Sequence, residues 1–280
     1  MYAACLWRLA WLLAVGVCAG GAAAGASAEE GDDSGNLQPE RVAPPRLHGV
    51  DDSWPVQSLE AFRTHATPDR QQAYDAFLTG CGAAYGADVC AQSETARIAV
   101  NAMQPALLRN LTATGYARVR MPPPVFTLLR EHLFQYQENL VPESWGSAQP
   151  ATFVNHWEEE TDTHNLAHYM ALADRQRMQR QVQDVLEDWC GAALTPVAVY
   201  GMRIYRRGAV VAPHVDRLPL VVSAILHVAR DDNDDNNDDW PLQVIGRDGV
   251  AVNVTLQPGE MFLYESASIL HGRPYPLQGW

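Results

Sequence analysis

The chain contains no lysine. Its 20 basic residues are all arginine, set against 33 acidic ones, for a formal net charge of −13 over 280 residues. Nucleic acid and anionic lipid surfaces both call for a surplus of positive charge, so neither is expected as the main partner. Any essential cationic contact must fall to arginine. Cysteine is also scarce, with five in the whole chain, which excludes a disulfide-dense scaffold. Beyond the N-terminus there is no apolar run long enough to cross a bilayer.

That N-terminus, MYAACLWRLAWLLAVGVCAGGAAAGASA, is different in kind. Arg8 is its single charge, a leucine-rich stretch follows, and Ala26-Ser27-Ala28 has the small-x-small form cut by signal peptidase. Residues 1–28 therefore read as a signal peptide. An uncleaved signal anchor stays open as the alternative, because apolar or small residues run from Leu9 to Ala28. Either reading sends the rest to a secretory lumen, the endoplasmic reticulum or outside, and a membrane is involved only if the anchor is kept. Cleavage would remove Cys5 and Cys18 and leave Cys81, Cys90 and Cys190. In an oxidising lumen Cys81 and Cys90 are expected to pair across the short Gly-rich loop CGAAYGADVC. Cys190 is then a buried free thiol on a helix. Two sequons occur, at Asn110 and Asn253. Asn110, at a helix end, is the glycosylation candidate; Asn253 falls in a strand.

After the leader, about 250 residues suffice for one large domain. Residues 29–55 are polar with Gly and Pro, and read as a linker. A helical region with the Cys loop covers 56–110, broken near Pro68. GYARVRM at 115–121 alternates as a strand does, and Val125, Leu128, Leu129, Leu133 and Tyr136 recur at helical spacing. A further helix runs from Arg175 to Trp189, with Met178, Val182, Val185, Leu186 and Trp189 on one face. From Thr195 the texture turns to short β-rich runs separated by turn signals. Such a succession predicts a sandwich, jelly roll or barrel, and an α+β chain overall.

Two clusters fail as metal sites. DDNDDNNDDW at 231–240 has Asn236 where an EF-hand loop needs Gly and Leu242 where it needs Glu, so it reads as a solvated loop. Glu160, His164 and His168 would share a helix face, but the Glu that should follow the first His of a zinc protease is Asn165.

VVAPHVDRLPLVV, residues 210–222, is more informative. A mononuclear iron(II) oxygenase needs two imidazoles and a carboxylate on one face of the metal, with the other face open. Residues two apart in a strand point the same way, so His214 and Asp216 can converge on one ion. His271, in SASILHGRP, stands near a later strand end, and the strands between are enough to bring it back beside His214.

These stretches resemble the prolyl 4-hydroxylase-like, iron(II)/2-oxoglutarate-dependent dioxygenases. That family's pattern Tyr-x-x-Gly-x-x-x-x-Pro-His-x-Asp is matched by Tyr205, Gly208, Pro213, His214 and Asp216. Its Pro-Gly-acid turn ahead of an apolar strand and a distal His is matched by Pro258-Gly259-Glu260 and His271. The likeness covers residues 195–280 strongly and extends loosely upstream, which frames 111–280 as the dioxygenase domain. It implies a double-stranded β-helix (jelly-roll, cupin-like) core behind an N-terminal helical region. It also implies Fe(2+) held by His214, Asp216 and His271, with no further catalytic residue, and Tyr205 reaching the co-substrate 2-oxoglutarate. O2 is consumed, with ascorbate as an accessory reductant. The implied partner is a protein or peptide substrate, proline-rich in the family. One departure follows: the family places an Arg or Lys nine or ten residues after the distal His, on one more core strand. Nine residues on stands Trp280. The last core strand is therefore expected to be missing, with Arg273 the nearest substitute cation. The alternative function is a lumenal β-helix binding module that has lost its cofactor.

Overall fold

Val and Ile crowd the strands, where β-branched side chains pack well on a pleated face. In a computed structural model, the structure describes residues 8–16, 52–136, 154–155, 157, 164–165, 170–230 and 240–278. Helices and antiparallel strands are mixed, as an α+β chain requires. Helices α1 (Leu59–His65), α2 (Pro68–Tyr85) and α3 (Ala87–Leu107) precede strand β2 (Tyr116–Arg120) and α4 (Pro123–Tyr136). Next come β3 (His164–Asn165), α5 (Leu172–Cys190), β4 (Thr195–Tyr205), β5 (Val211–His214) and β6 (Val222–Ala229). The chain closes with β7 (Leu242–Ile245), β8 (Ala251–Val254), β9 (Glu260–Tyr264) and β10 (Leu270–Arg273). Strand β1 (Arg8–Gly16) lies in the segment expected to be a leader.

The strands form two sheets, in the orders β2-β9-β6-β1-β4-β3 and β5-β10-β7-β8. From β4 onward the chain passes back and forth between them. On the six-stranded sheet, α4 and α5 bury Val125, Leu129, Met178, Val182 and Leu186 against Met202, Ile204, Leu226 and Leu263. That matches the helical stripe expected from the sequence. A second core joins the sheets through Ile225, Phe262 and Tyr264 on one side and Leu242, Val244 and Val252 on the other. A third docks the N-terminal helices, Phe62, Tyr74 and Phe77, against Val210 and Ala212 of the β5 region.

Several expectations need correction. The Cys81–Cys90 disulfide forms, with Cα atoms 6.0 Å apart, but it does not staple a loop. Cys81 lies in the last turns of α2 and Cys90 in the first turn of α3, and Gly86, at φ 95°, alone breaks the helix between them. The linker ends sooner than residue 55, since Trp54 is 1 % exposed and meets Tyr74 and Phe77 edge-on at 5.4 and 5.1 Å. Strand β1, from the segment expected to be a leader, is part of the sheet and pairs antiparallel with both β4 and β6. His164 belongs to a strand paired with β4, not to a helix. Glu160 and His168, and 231–239 of the acidic run, lie outside the described residues. Among the described residues no helix is long and apolar enough to cross a membrane.

Candidate metal centre

Strand β5 ends on His214, and β10 places His271 directly opposite it. Residues paired this way in an antiparallel ladder project to the same side, and the two rings lie 4.4 Å apart. Asp216 lies just beyond the strand end rather than on it, fixed there by its N–H donating to Ser266 O at 2.7 Å. Its Oδ1 is 3.6 Å from His214 Nε2 and 3.9 Å from His271 Nε2. One ligand atom from each of the three lies within 4.8 Å of the others. The structure thus gathers the three residues that the sequence put forward as ligands.

The imidazoles are oriented alike. His214 Nδ1 contacts Ala212 O at 2.7 Å, and His271 Nδ1 contacts Ile269 O at 2.9 Å. A carbonyl only accepts, so each Nδ1 donates to its carbonyl and each ring turns its Nε2 toward the shared point. Burial, then the charge of His214, pushes His271 down to about 4, with Asp216 pulling the other way. Burial alone would raise Asp216. The neighbouring His214 and His271 and the Ser266 hydroxyl outweigh it, and the carboxyl ends below its ordinary range. A neutral His271 and an ionised Asp216 are the protonation states a divalent cation requires of these two ligands. Ser223 Oγ donates to Asp216 Oδ2 at 3.3 Å and lies 2.7 Å from Ser266 Oγ, so the second carboxylate oxygen is supported as well.

Gly272 is what allows the two strands to come this close. A Cβ there would lie 2.7 Å from Pro213 Cα and 2.9 Å from Val211 O. Both are backbone atoms, and neither can move without separating β5 from β10.

Tyr205 and Arg273 meet the same indole. The Tyr205 ring is 4.9 Å from that of Trp240, the Arg273 guanidinium lies 4.4 Å over it, and Arg273 Nη1 donates to Trp240 O. Trp240 is buried, and its Nε1 donates to Tyr275 O at 2.6 Å. Sequence reading passed over Trp240, the last residue of the acidic run. It also missed Tyr264, read only as part of an apolar strand. The Tyr264 ring stands edge-on to His271 at 4.6 Å. Its hydroxyl is buried, with no partner at full hydrogen-bond geometry among the described residues. Burial, then the Asp216 and Tyr205 charges, holds the phenol well above its usual range, against a smaller pull from Ser223 and Arg203. It is a standing donor beside the ligands. Asn110 is exposed just past α3 and accepts from Arg247 Nη1.

No family model matches the chain, and no curated protein does. Among solved structures, a prolyl-4-hydroxylase from Pseudomonas putida is similar at 18 % identity with a TM-score of 0.39, covering 63 % of this chain and 92 % of that one.

Proposed function

We propose that this chain is an iron(II)- and 2-oxoglutarate-dependent dioxygenase built on a jelly-roll core, acting on peptidyl proline in proteins of the secretory pathway. One observation carries the reading: two imidazoles and a carboxylate converge within 4.8 Å, with both Nδ1 atoms held by backbone carbonyls. The donor set of two nitrogens and one oxygen, with positions left open, suits non-haem iron(II). The chemistry such a centre supplies when loaded is hydroxylation of a substrate C–H bond, coupled to conversion of 2-oxoglutarate and O2 to succinate and CO2.

The chain's own residues divide the remaining work. His214, Asp216 and His271 hold the ion. Arg273, kept in place by the Trp240 ring and carbonyl, supplies the cation that a dicarboxylate needs. Tyr205, whose ring packs against that indole, and Tyr264 supply hydroxyl donors. Phe262, Val244 and Val252 make the neighbouring wall dry. The Cys81–Cys90 bond suits an oxidising lumen, and glycosylation at Asn110 would follow from passage through it.

The test is anaerobic iron(II) binding together with succinate release from 2-oxoglutarate, ascorbate present, over a panel of proline-rich peptides. His214→Ala is expected to lose bound iron and turnover together. Retained iron in that variant would overturn the ligand assignment. Iron binding without succinate release would favour a binding module that has lost its co-substrate.

A further inference from the structure

Helix α3 carries a line of polar residues that faces inward. Glu94, Arg97, Asn101 and Gln104 follow one another at three, four and three residues, which is one face of a helix. The first three are 4, 3 and 1 % exposed. Each is committed to the backbone that bears the metal ligands or to a neighbour that is. Arg97 is paired with Glu94, which also accepts from Tyr74 Oη at 3.0 Å. Arg97 Nη1 donates to Pro213 O, and Nη2 to Pro55 O at 2.7 Å. Asn101 Nδ2 donates to Pro213 O at 3.0 Å, while its Oδ1 accepts from Val215 N at 3.0 Å. Gln104 Nε2 donates to Asp216 O at 2.7 Å and to Ala267 O at 2.8 Å.

Residues 213–216 are the segment in which His214 and Asp216 lie, and Ala267 sits in the connection that leads into β10 and His271. Gln104 therefore bonds to both sides of the ligand set, with one amide group spanning two carbonyls. Asp216 lies beyond the regular ladder of β5, so its carbonyl depends on such a donor. We propose that Gln104, seconded by Asn101, is a positioning residue of the metal centre, fixing the separation of Asp216 from the strand that carries His271. The inference rests on the metal-binding reading above. It adds that ligand geometry is set from a helix that supplies no ligand itself.

The test uses the full chain with cobalt(II) as probe, titrated through its ligand-field absorption, alongside thermal melting of the metal-free protein. Gln104→Met keeps the length of the side chain and removes both donors; Gln104→Glu keeps the shape and also removes them. Supporting groups of this kind are worth about 10- to 100-fold in metal affinity. Both variants are expected to bind cobalt weaker by about that factor, with an altered absorption spectrum. Gln104→Met, which adds no charge, is expected to melt within a few degrees of the parent, whereas Gln104→Glu sets a carboxylate against two carbonyl oxygens and is expected to melt lower. Thr95→Val, on the exposed face of the same helix, is expected to change neither. Wild-type affinity and spectrum in Gln104→Met would overturn the positioning role alone. A parent chain that takes up no cobalt would overturn the metal reading, and this proposal with it.

Discussion

The two sheets are held in place by different forces. The four-stranded sheet carries both histidine ligands on β5 and β10, and directed hydrogen bonds from α3 grip the segment after β5 that carries Asp216. The six-stranded sheet carries none of the three ligands. It is held by apolar packing under α4 and α5 and by a strand from the far N-terminus. Apolar packing is strong but undirected, whereas hydrogen bonds fix distances. The chain places its directed bonds where tenths of an ångström matter and its bulk packing where they do not.

Substitutions in the two sheets should therefore separate metal affinity from stability. The largest effect on the centre is expected from Gly272→Ala. The new methyl meets Pro213 backbone and drives β10 from β5, so metal binding should fall by more than about 100-fold, a loss on the scale of a supporting shell removed, as read by equilibrium dialysis. Unchanged binding would mean that the close approach does not set the site. On the other sheet, deletion of residues 1–16 removes β1 and leaves β4 and β6 without their shared partner. Exposed edges of this kind associate, so the shortened chain should melt well below the full one and aggregate in light scattering. A shortened chain as stable and monomeric as the full one would show β1 to be dispensable and would fit cleavage of residues 1–28 as a signal peptide.

Leu186→Ala opens a cavity under the same sheet. It should cost about 2–5 kcal/mol in denaturant unfolding while shifting metal affinity less than about twofold, since no directed bond to the ligands is lost. A proportionate loss of affinity would erase the contrast between the sheets. Acid should act through the small sheet. His271 is neutral when folded, with its pKa lowered to about 4, so its contribution is complete above the unfolded value of 6.5 and lost as pH falls from there toward 4. By linkage the metal-free protein should lose about 3 kcal/mol over that window, and His271→Gln should flatten the slope. The depressed Asp216 adds a loss only at still lower pH. The smallest change is expected from Tyr264→Phe. Removing a buried hydroxyl with no full hydrogen bond should leave stability level or raise it by about 1 kcal/mol in denaturant unfolding; if the proposed function holds, the KM for 2-oxoglutarate should rise a few-fold.

Much of this centre was legible in the sequence. The spacing of His214, Asp216 and His271 suggests a shared ion, and the resemblance to prolyl 4-hydroxylase-like dioxygenases is what makes them the expected ligands; the α4 and α5 stripes announce their buried faces. The α3 brace was not legible in the same way. Glu94, Arg97, Asn101 and Gln104 are polar, so a reading that looks for apolar stripes assigns them to solvent. The same polar spacing on a helix expected to pack inward was the available signal. Tyr264 was hidden inside EMFLYE, where an aromatic in a β-run reads as packing. Strand β1 was hidden because an apolar N-terminal run carries the marks of a leader whether or not a sheet accepts it. Trp54 was assigned to a linker because its neighbours are polar, and nothing local reveals that Tyr74 and Phe77 wait for it.

The central claim is that His214, Asp216 and His271 hold one metal ion. Anaerobic titration of the full chain with iron(II), repeated on His214→Ala, Asp216→Asn and His271→Ala, tests it most directly. The account predicts one equivalent bound by the parent and loss of binding in each variant, with all four chains folded by circular dichroism. A parent that binds no iron, or variants that bind it as the parent does, would contradict it.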